Sequence, residues 1–285
     1  MPVVVNPAAG GGRAGRLLES IGALDNVVLQ RAGDPSEVCR AAELAAHSGA
    51  SRILVVGGDG TLHHAIQALA GTGCALGIVP AGRGNDLARA LGLPLDPLAA
   101  ARRALRTPPR AIDLGCIAGR FFAGVACAGL DAEVARLIRE RRGRRWGRWA
   151  YALAAARAVA TFRAPHFRID HDEGRESGPG MLVAVANSPC YGGGMRIAPD
   201  AALDDGHLDL VFVRGLSPPR LLAALPRLYR GTHLSHPAVT SRLVRRVAIG
   251  ADRPLAIFGD GEPLATTGAA SVLIEVRPGM LHVAA

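Results

Sequence analysis

The sequence predicts a mixed α/β protein: an N-terminal parallel-sheet domain followed by an antiparallel, β-sandwich-like domain with inserted helices. Three observations carry this expectation. From residue 3 to about 106, short apolar strands alternate with helical stretches, the pattern of a parallel sheet covered on both faces. Thr107-Pro108-Pro109 then breaks the alternation, and the strands beyond it are longer and alternate in polarity, as in antiparallel sheets. Finally, 285 residues suit two cores of ordinary size better than one. The expected division is 1–108 and 109–285.

The elements follow in order. Val3–Val5 is a strand closed by the Asn6-Pro7 turn, and Val27–Leu29 is the second strand. Glu37–His47 has helical periodicity. Ile53–Val56 is an uninterrupted apolar strand running into Gly57-Gly58-Asp59-Gly60-Thr61, with a helix over Leu62–Leu69 behind it. Ala75–Val79 repeats that plan before the turn Pro80–Arg89, and Leu98–Leu105 closes the first half as a helix. In the second half, strands are expected at Gly119–Ala128, His166–His171, Met181–Ala186, His207–Val213, Leu243–Ile249 and Ser271–Val276. Two helical stretches, Ala132–Arg142 and Trp146–Thr161, interrupt them.

Composition narrows the function. All 33 basic residues are arginine. The absence of lysine excludes P-loop and protein kinases, each of which sets a lysine on the nucleotide phosphates. Cys39, Cys74, Cys116, Cys127 and Cys190 are scattered singly, against a disulfide framework or a zinc site, and imply a reducing compartment. The chain opens directly on a strand, without a signal peptide, and no apolar run reaches the ~18 residues of a membrane span. A formal charge of +9 suits nucleic acid or an anionic membrane surface. Its densest part, Arg136–Arg148 with Trp146, Trp149 and Tyr151, reads as a membrane-surface element or as a solvated helix face.

Three motifs fall at the carboxyl ends of the predicted parallel strands, where α/β sheets bind ligands. Gly57-Gly58-Asp59-Gly60-Thr61 frees several backbone amides for one anion, offers Asp59 to Mg²⁺, and so points to phosphoryl transfer; a plain tight turn with a cap is the other reading. Asn6-Pro7-Ala8-Ala9-Gly10 is a second glycine-rich turn. Gly82-Arg83-Gly84-Asn85-Asp86 supplies backbone donors, an arginine and a helix cap. A nucleic-acid binder would explain the charge but none of these ordered turns.

In this order, N-P-x-x-G, G-G-D-G-T and P-x-G-x-x-N-D-x-A-R resemble the catalytic domain of the diacylglycerol kinase and sphingosine kinase family, and most closely its bacterial soluble lipid kinases. The resemblance continues through Gly129-Leu130-Asp131-Ala132, Tyr191-Gly192-Gly193-Gly194, Ala198-Pro199-Asp200-Ala201, Leu203-Asp204-Asp205-Gly206 and Gly259-Asp260-Gly261-Glu262-Pro263. It implies an ATP site in the first domain, a lipid substrate in the second, and a kinase working at the cytoplasmic, inner face of the membrane. Carried over by motif, Asn6, Pro7, Ala8, Ala9, Gly10, Gly57, Gly58, Asp59, Gly60, Thr61, Leu62, His63, Arg83, Asn85 and Asp86 would hold the nucleotide. Asp59 would serve the catalytic Mg²⁺ and Glu262 would be the general base on a diacylglycerol-like hydroxyl. Asp205, with the carbonyls of Ala202 and His207, would form a second, structural Mg²⁺ site, otherwise a plain Asp-Asp-Gly hairpin. No nucleic acid is implied, and a homodimer is left open. Arg83 departs from the family, which usually has Thr or Ser there; it either adds a phosphate donor or crowds the site. An NAD kinase, which shares the Gly-Gly-Asp-Gly-Thr turn, and a catalytically weak lipid- or nucleotide-binding homologue are the alternatives.

Overall fold

The computed structural model describes residues 1–24, 27–140, 157–159 and 161–285. Residues 141–148 of the expected arginine cluster Arg136–Arg148, with Trp146, Trp149, Tyr151 and most of the helix expected over Trp146–Thr161, lie outside them.

The first half is a parallel sheet in the order β4-β3-β1-β2, built from β1 (Pro2–Val5), β2 (Val28–Arg31), β3 (Arg52–Gly57) and β4 (Ala75–Pro80). Ile53, Leu54, Val55 and Val56 are all fully buried. Burial of both faces explains why this strand reads as a continuous apolar run, at roughly 1.5–3 kcal/mol per side chain. Helices Pro35–His47 and Asp59–Leu69 cover one face together with β3 and β4 residues. Helix Pro97–Arg106 packs on the other, through Ala101 and Ala104. Asp34 and Asp96 cap their helices, each accepting from the amide three residues on, ahead of a proline at the first helical position.

The second half contains β5 (Arg110–Ile117), β6 (Arg120–Phe122), β7 (Val125–Gly129), β8 (His166–His171), β9 (Gly174–Ala186), β10 (Leu208–Arg214), β11 (Val239–Val244), β12 (Arg246–Ala251), β13 (Leu255–Gly259), β14 (Glu262–Thr267) and β15 (Val272–Ala284). The expected antiparallel pairing is present throughout this part. The 13-residue β9 pairs with β8 along its first half and with β7 and β10 along its second, so it joins the two layers of the sandwich. Its period of two divides its side chains: Val183 and Val185 enter the sandwich core with Phe167 and Phe212, and Leu182, Ala184 and Ala186 face the opposite way.

Two expected strands are each broken by a carboxylate that captures the amides at the break. Gly119–Ala128 divides into β6 and β7 because Ala123 N and Gly124 N donate to Asp260 (2.9 and 2.8 Å). Leu243–Ile249 divides between β11 and β12, where Arg245 N and Arg246 N donate to Asp172 (2.8 and 3.0 Å). The last strand runs further than expected: beyond its pairing with β12 and β5, Val283 and Ala284 join β4 in parallel, so the end of the chain sits in the first sheet. Helix Pro218–Arg230 was not expected; Pro218, Pro219 and the internal Pro226 hide its periodicity.

Candidate active site

Because β1, β3 and β4 are parallel neighbours, the three glycine turns lie side by side and lock together. Asn6 N donates to Val56 O (3.1 Å) and Asn6 Nδ2 to Thr61 Oγ1 (3.1 Å), while Ala8 N closes an Asx turn on Asn6 Oδ1 (3.1 Å). Ala81 N donates to Gly57 O (2.8 Å), joining the second turn to the third. The glycines allow backbone to touch backbone. A Cβ on Gly82 would lie 2.5 Å from Gly58 Cα, and one on Gly10, at φ +63°, would lie 2.0 Å from Ala81 O.

Asp59 starts helix Asp59–Leu69, but its carboxylate crosses to another element. Oδ2 accepts from Asn85 N (2.8 Å) and Oδ1 from Asp86 N (2.7 Å), tying down the start of helix Asp86–Ala90. Asn85 is in the left-handed region at φ 54°, and its amide is closed on Gly82. Asp86 accepts in turn from Gly193 N (3.0 Å), linking the third turn to the Tyr191-Gly192-Gly193-Gly194 loop of the second half. Burial, and then the neighbouring Asp86, raise the Asp59 carboxyl; burial also raises Asp86, with Asp260 adding to both.

Convergent carboxylates that resist ionising together are a site where a hard cation would be welcome. Among the described residues no group of three His, Cys, Asp or Glu side chains is arranged around one metal position. Asp59 and Asp86 are two neighbouring carboxylates, and one or two are what a Mg²⁺ that also binds phosphates takes from a protein.

Gly259-Asp260-Gly261-Glu262 is the tight hairpin that Asp-Gly favours, with Asp260 at φ 52° and Gly261 at φ 83°. It is more than a turn. Asp260 is anchored by Ala123 N and Gly124 N, and Glu262, only 7% exposed, points its Oε1 to within 3.8 Å of where a Cβ on Gly60 would stand. Glu262 thus meets the first turn of helix Asp59–Leu69, where the helix dipole favours a carboxylate.

Between the two halves lies a cavity of about 800 Å³. Its wall is largely apolar, with Leu62, Ile66 and Leu87 on one side and Leu130, Val134, Met181, Val213, Leu228 and Phe258 on the other. The polar wall residues include Asp59, His63, Arg83, Asp86 and Asp260. Leu62 and His63 lie buried in the chamber wall, and Arg83 is exposed at its rim. His63 Nδ1 is 3.7 Å from Asp260 Oδ2, and neither ring nitrogen has a hydrogen-bond partner among the described residues.

A fourth acid in the wall, Asp131, is unassigned in the sequence, where it and Tyr191 are only parts of separate strings. Tyr191 Oη donates to Asp131 Oδ2, and burial pushes the Asp131 carboxyl up from 3.8 to about 6. The folded state thus holds this proton to higher pH than the unfolded chain. Stability is lost as pH rises from about 3.8 through about 6, the full cost being roughly 3 kcal/mol above that window. Asp131→Asn keeps an acceptor for Tyr191 and removes the charge. The variant is expected to unfold at higher temperature than the wild type, with about twice the free-energy advantage at pH 8 as at pH 5. Equal melting shifts at the two pH values would contradict it.

The loop Ala202–His207 is held by Asp113, buried and also missed in the sequence. Its carboxylate accepts from Gly206 N and Gly279 N, both at 2.7 Å, and its own amide donates to Leu203 O (2.6 Å). Asp205 Oδ1 accepts from His207 N (2.9 Å). Asp209 beside it is pushed up to about 6 by burial and by Asp205 and Asp200. Within the expected arginine cluster, Arg136 pairs with Glu133 at 2.6 Å. No helix among the described residues is long and apolar enough to cross a membrane.

The chain is similar to known proteins along most of its length. Residues 1–117 match the diacylglycerol kinase catalytic domain, and residues 124–285 match the YegS C-terminal NAD kinase beta sandwich-like domain. A diacylglycerol kinase of Mycobacterium tuberculosis is 33% identical over 240 residues, covering 81% of this chain and 76% of the relative. A probable YegS-like lipid kinase of Chromohalobacter salexigens is 33% identical over 228 residues, covering 79% and 73%. The crystal structure of a putative diacylglycerol kinase from Bacillus anthracis superposes with a TM-score of 0.79 at 23% identity, over 99% of this chain and 95% of that one, and so shares the fold. With both domain models matched in order along one chain, the protein belongs to the family of lipid kinases that combine a diacylglycerol kinase catalytic domain with a YegS-type C-terminal domain.

Proposed function

We propose that the protein transfers the γ-phosphoryl group of ATP to the hydroxyl of a diacylglycerol-like lipid, with Mg²⁺. The observation that carries this reading is the meeting of Glu262 with the first turn of helix Asp59–Leu69 beside an apolar chamber of about 800 Å³. A phosphate-suited turn, a buried carboxylate and room for acyl chains are the three things lipid phosphorylation needs at one place. Residues 1–108 are the nucleotide part, with the turns at Asn6–Gly10 and Gly57–Thr61 and the segment Arg83–Gly84 cradling the phosphates through backbone amides, while the Asn85 and Asp86 amides hold Asp59 in place. Residues 109–285 supply the lipid part. Asp59 and the raised acid beside it, Asp86, are the residues suited to hold Mg²⁺, which when bound neutralises developing charge on the phosphates. Glu262 accepts the lipid hydroxyl proton as its oxygen attacks phosphorus. Arg83, exposed at the chamber rim, adds a charged donor in a chain without lysine.

Asp205 with the carbonyls of Ala202 and His207 is retained as a structural Mg²⁺ site, supported by hard oxygen donors and by the crowding of Asp200, Asp205 and Asp209. On this reading the protein works in the cytoplasm, peripheral to the inner membrane face, where its lipid acceptor resides. Labelled ATP with Mg²⁺, offered in parallel with diacylglycerol, sphingosine and NAD, tests the whole reading. Label in a lipid product is expected; label in NAD alone would overturn it.

A further inference from the structure

A diacyl lipid does not travel through water, so an enzyme that phosphorylates it must present its chamber to a bilayer. Among the described residues, one helix borders the chamber with the chemistry for that. Helix Pro218–Arg230 contributes Ala224, Leu225, Arg227, Leu228 and Tyr229 to the chamber wall. Ala224 and Leu228, one turn apart, are the partly buried, inward pair. Leu225 and Tyr229, also one turn apart, are 40% and 54% exposed although they line the cavity, so this helix forms its lip. Large apolar groups left in water at the rim of an apolar chamber point to a second apolar phase outside it.

Charge selects that phase. From residue 210 to 251 the sequence holds seven arginines and no acid. Arg220, Arg227 and Arg230 are exposed on the helix, and helical spacing sets them on the flank away from Leu225 and Tyr229. Basic residues on one side, with leucine and tyrosine on the other, are the composition of a helix lying in the headgroup plane of an anionic bilayer.

Resting on the lipid-kinase reading above, we propose that helix Pro218–Arg230 is the membrane-docking lip of the chamber, seating Leu225 and Tyr229 in an anionic leaflet while Arg220, Arg227 and Arg230 engage its headgroups. Each near-surface arginine adds attraction that salt screens. Docking thus sets the opening against the leaflet from which the acceptor is drawn.

The experiment uses the full chain and the double variant Arg220→Glu/Arg230→Glu, neither residue lining the chamber. Flotation with vesicles of phosphatidylcholine alone, or with about one third phosphatidylglycerol, is measured at low and high salt. Wild type is expected to float with the anionic vesicles at low salt only. The double variant is expected to lose at least tenfold in binding while keeping the wild-type melting temperature. On long-chain diacylglycerol in anionic vesicles its activity falls by a similar factor; on water-dispersed dioctanoylglycerol it stays within about twofold. Unchanged vesicle binding by the variant, or wild-type binding indifferent to anionic lipid, overturns the proposal. Flotation needs no turnover, so a protein that docks but phosphorylates no lipid would instead refute the kinase reading.

Discussion

Glu262→Gln is expected to lower the turnover of lipid phosphorylation by about 10²-fold or more, the usual worth of a positioned base, with the KM for ATP nearly unchanged. Glutamine preserves the shape and the strand position of Glu262 and can still accept hydrogen bonds, but it cannot take the hydroxyl proton. The side chain is almost wholly buried at the start of β14, close to the first turn of helix Asp59–Leu69. Its place beside that helix terminus is one where the dipole favours a carboxylate. Replacing the carboxylate keeps the Asp260 anchor on Ala123 and Gly124 in place. The melting temperature should therefore move little. Full turnover by the glutamine variant in a steady-state assay would remove Glu262 from the chemistry.

Much of this arrangement was legible in the sequence, and the reasons are specific. Ile53–Val56 and Ala75–Val79 announced themselves because a parallel strand buried on both faces must be apolar throughout. The glycine turns were legible because close backbone approach tolerates no Cβ, as at Gly58 against Gly82. What escaped depends on contacts between distant residues. Asp260 stands 137 residues from Ala123, yet its carboxylate decides where β6 ends and β7 begins. Asp131 and Tyr191 meet across 60 residues, and Asp113 reaches 166 residues to Gly279. No periodicity or local propensity encodes such pairs. The sequence offers Asp59 as a partner of Mg²⁺ and nucleotide; its two amide bonds to Asn85 and Asp86 require the fold to bring β3 and β4 together.

That double duty makes Asp59→Asn the more damaging substitution. Activity is expected to fall by about 10²–10³-fold, because the variant loses a charged ligand for the cation and lets the phosphate turns drift, and small displacements alone cost about 10²-fold. Unlike the change at Glu262, it should also destabilise the fold. Asparagine can satisfy one of the two amides that Asp59 now accepts and sets an NH₂ group against the other, at roughly 1–3 kcal/mol. For a chain of this size that lowers the melting temperature by a few degrees, about 2–4 °C per kcal/mol. The strain passes on: with the start of helix Asp86–Ala90 released, Asp86 loses its hold on Gly193, the hydrogen bond joining the phosphate turns to the second half.

The acid side of the pH profile offers an independent check. Burial, with Asp86 adding, raises the Asp59 carboxyl above its ordinary value of 3.8, so protons compete with Mg²⁺ as pH falls toward that raised value. Wild type should need more Mg²⁺ for half-maximal activity as the medium is acidified, and Asp59→Asn should show a weaker dependence. Equal Mg²⁺ requirements for the two proteins across pH, together with an unchanged melting temperature, would leave Asp59 with neither role.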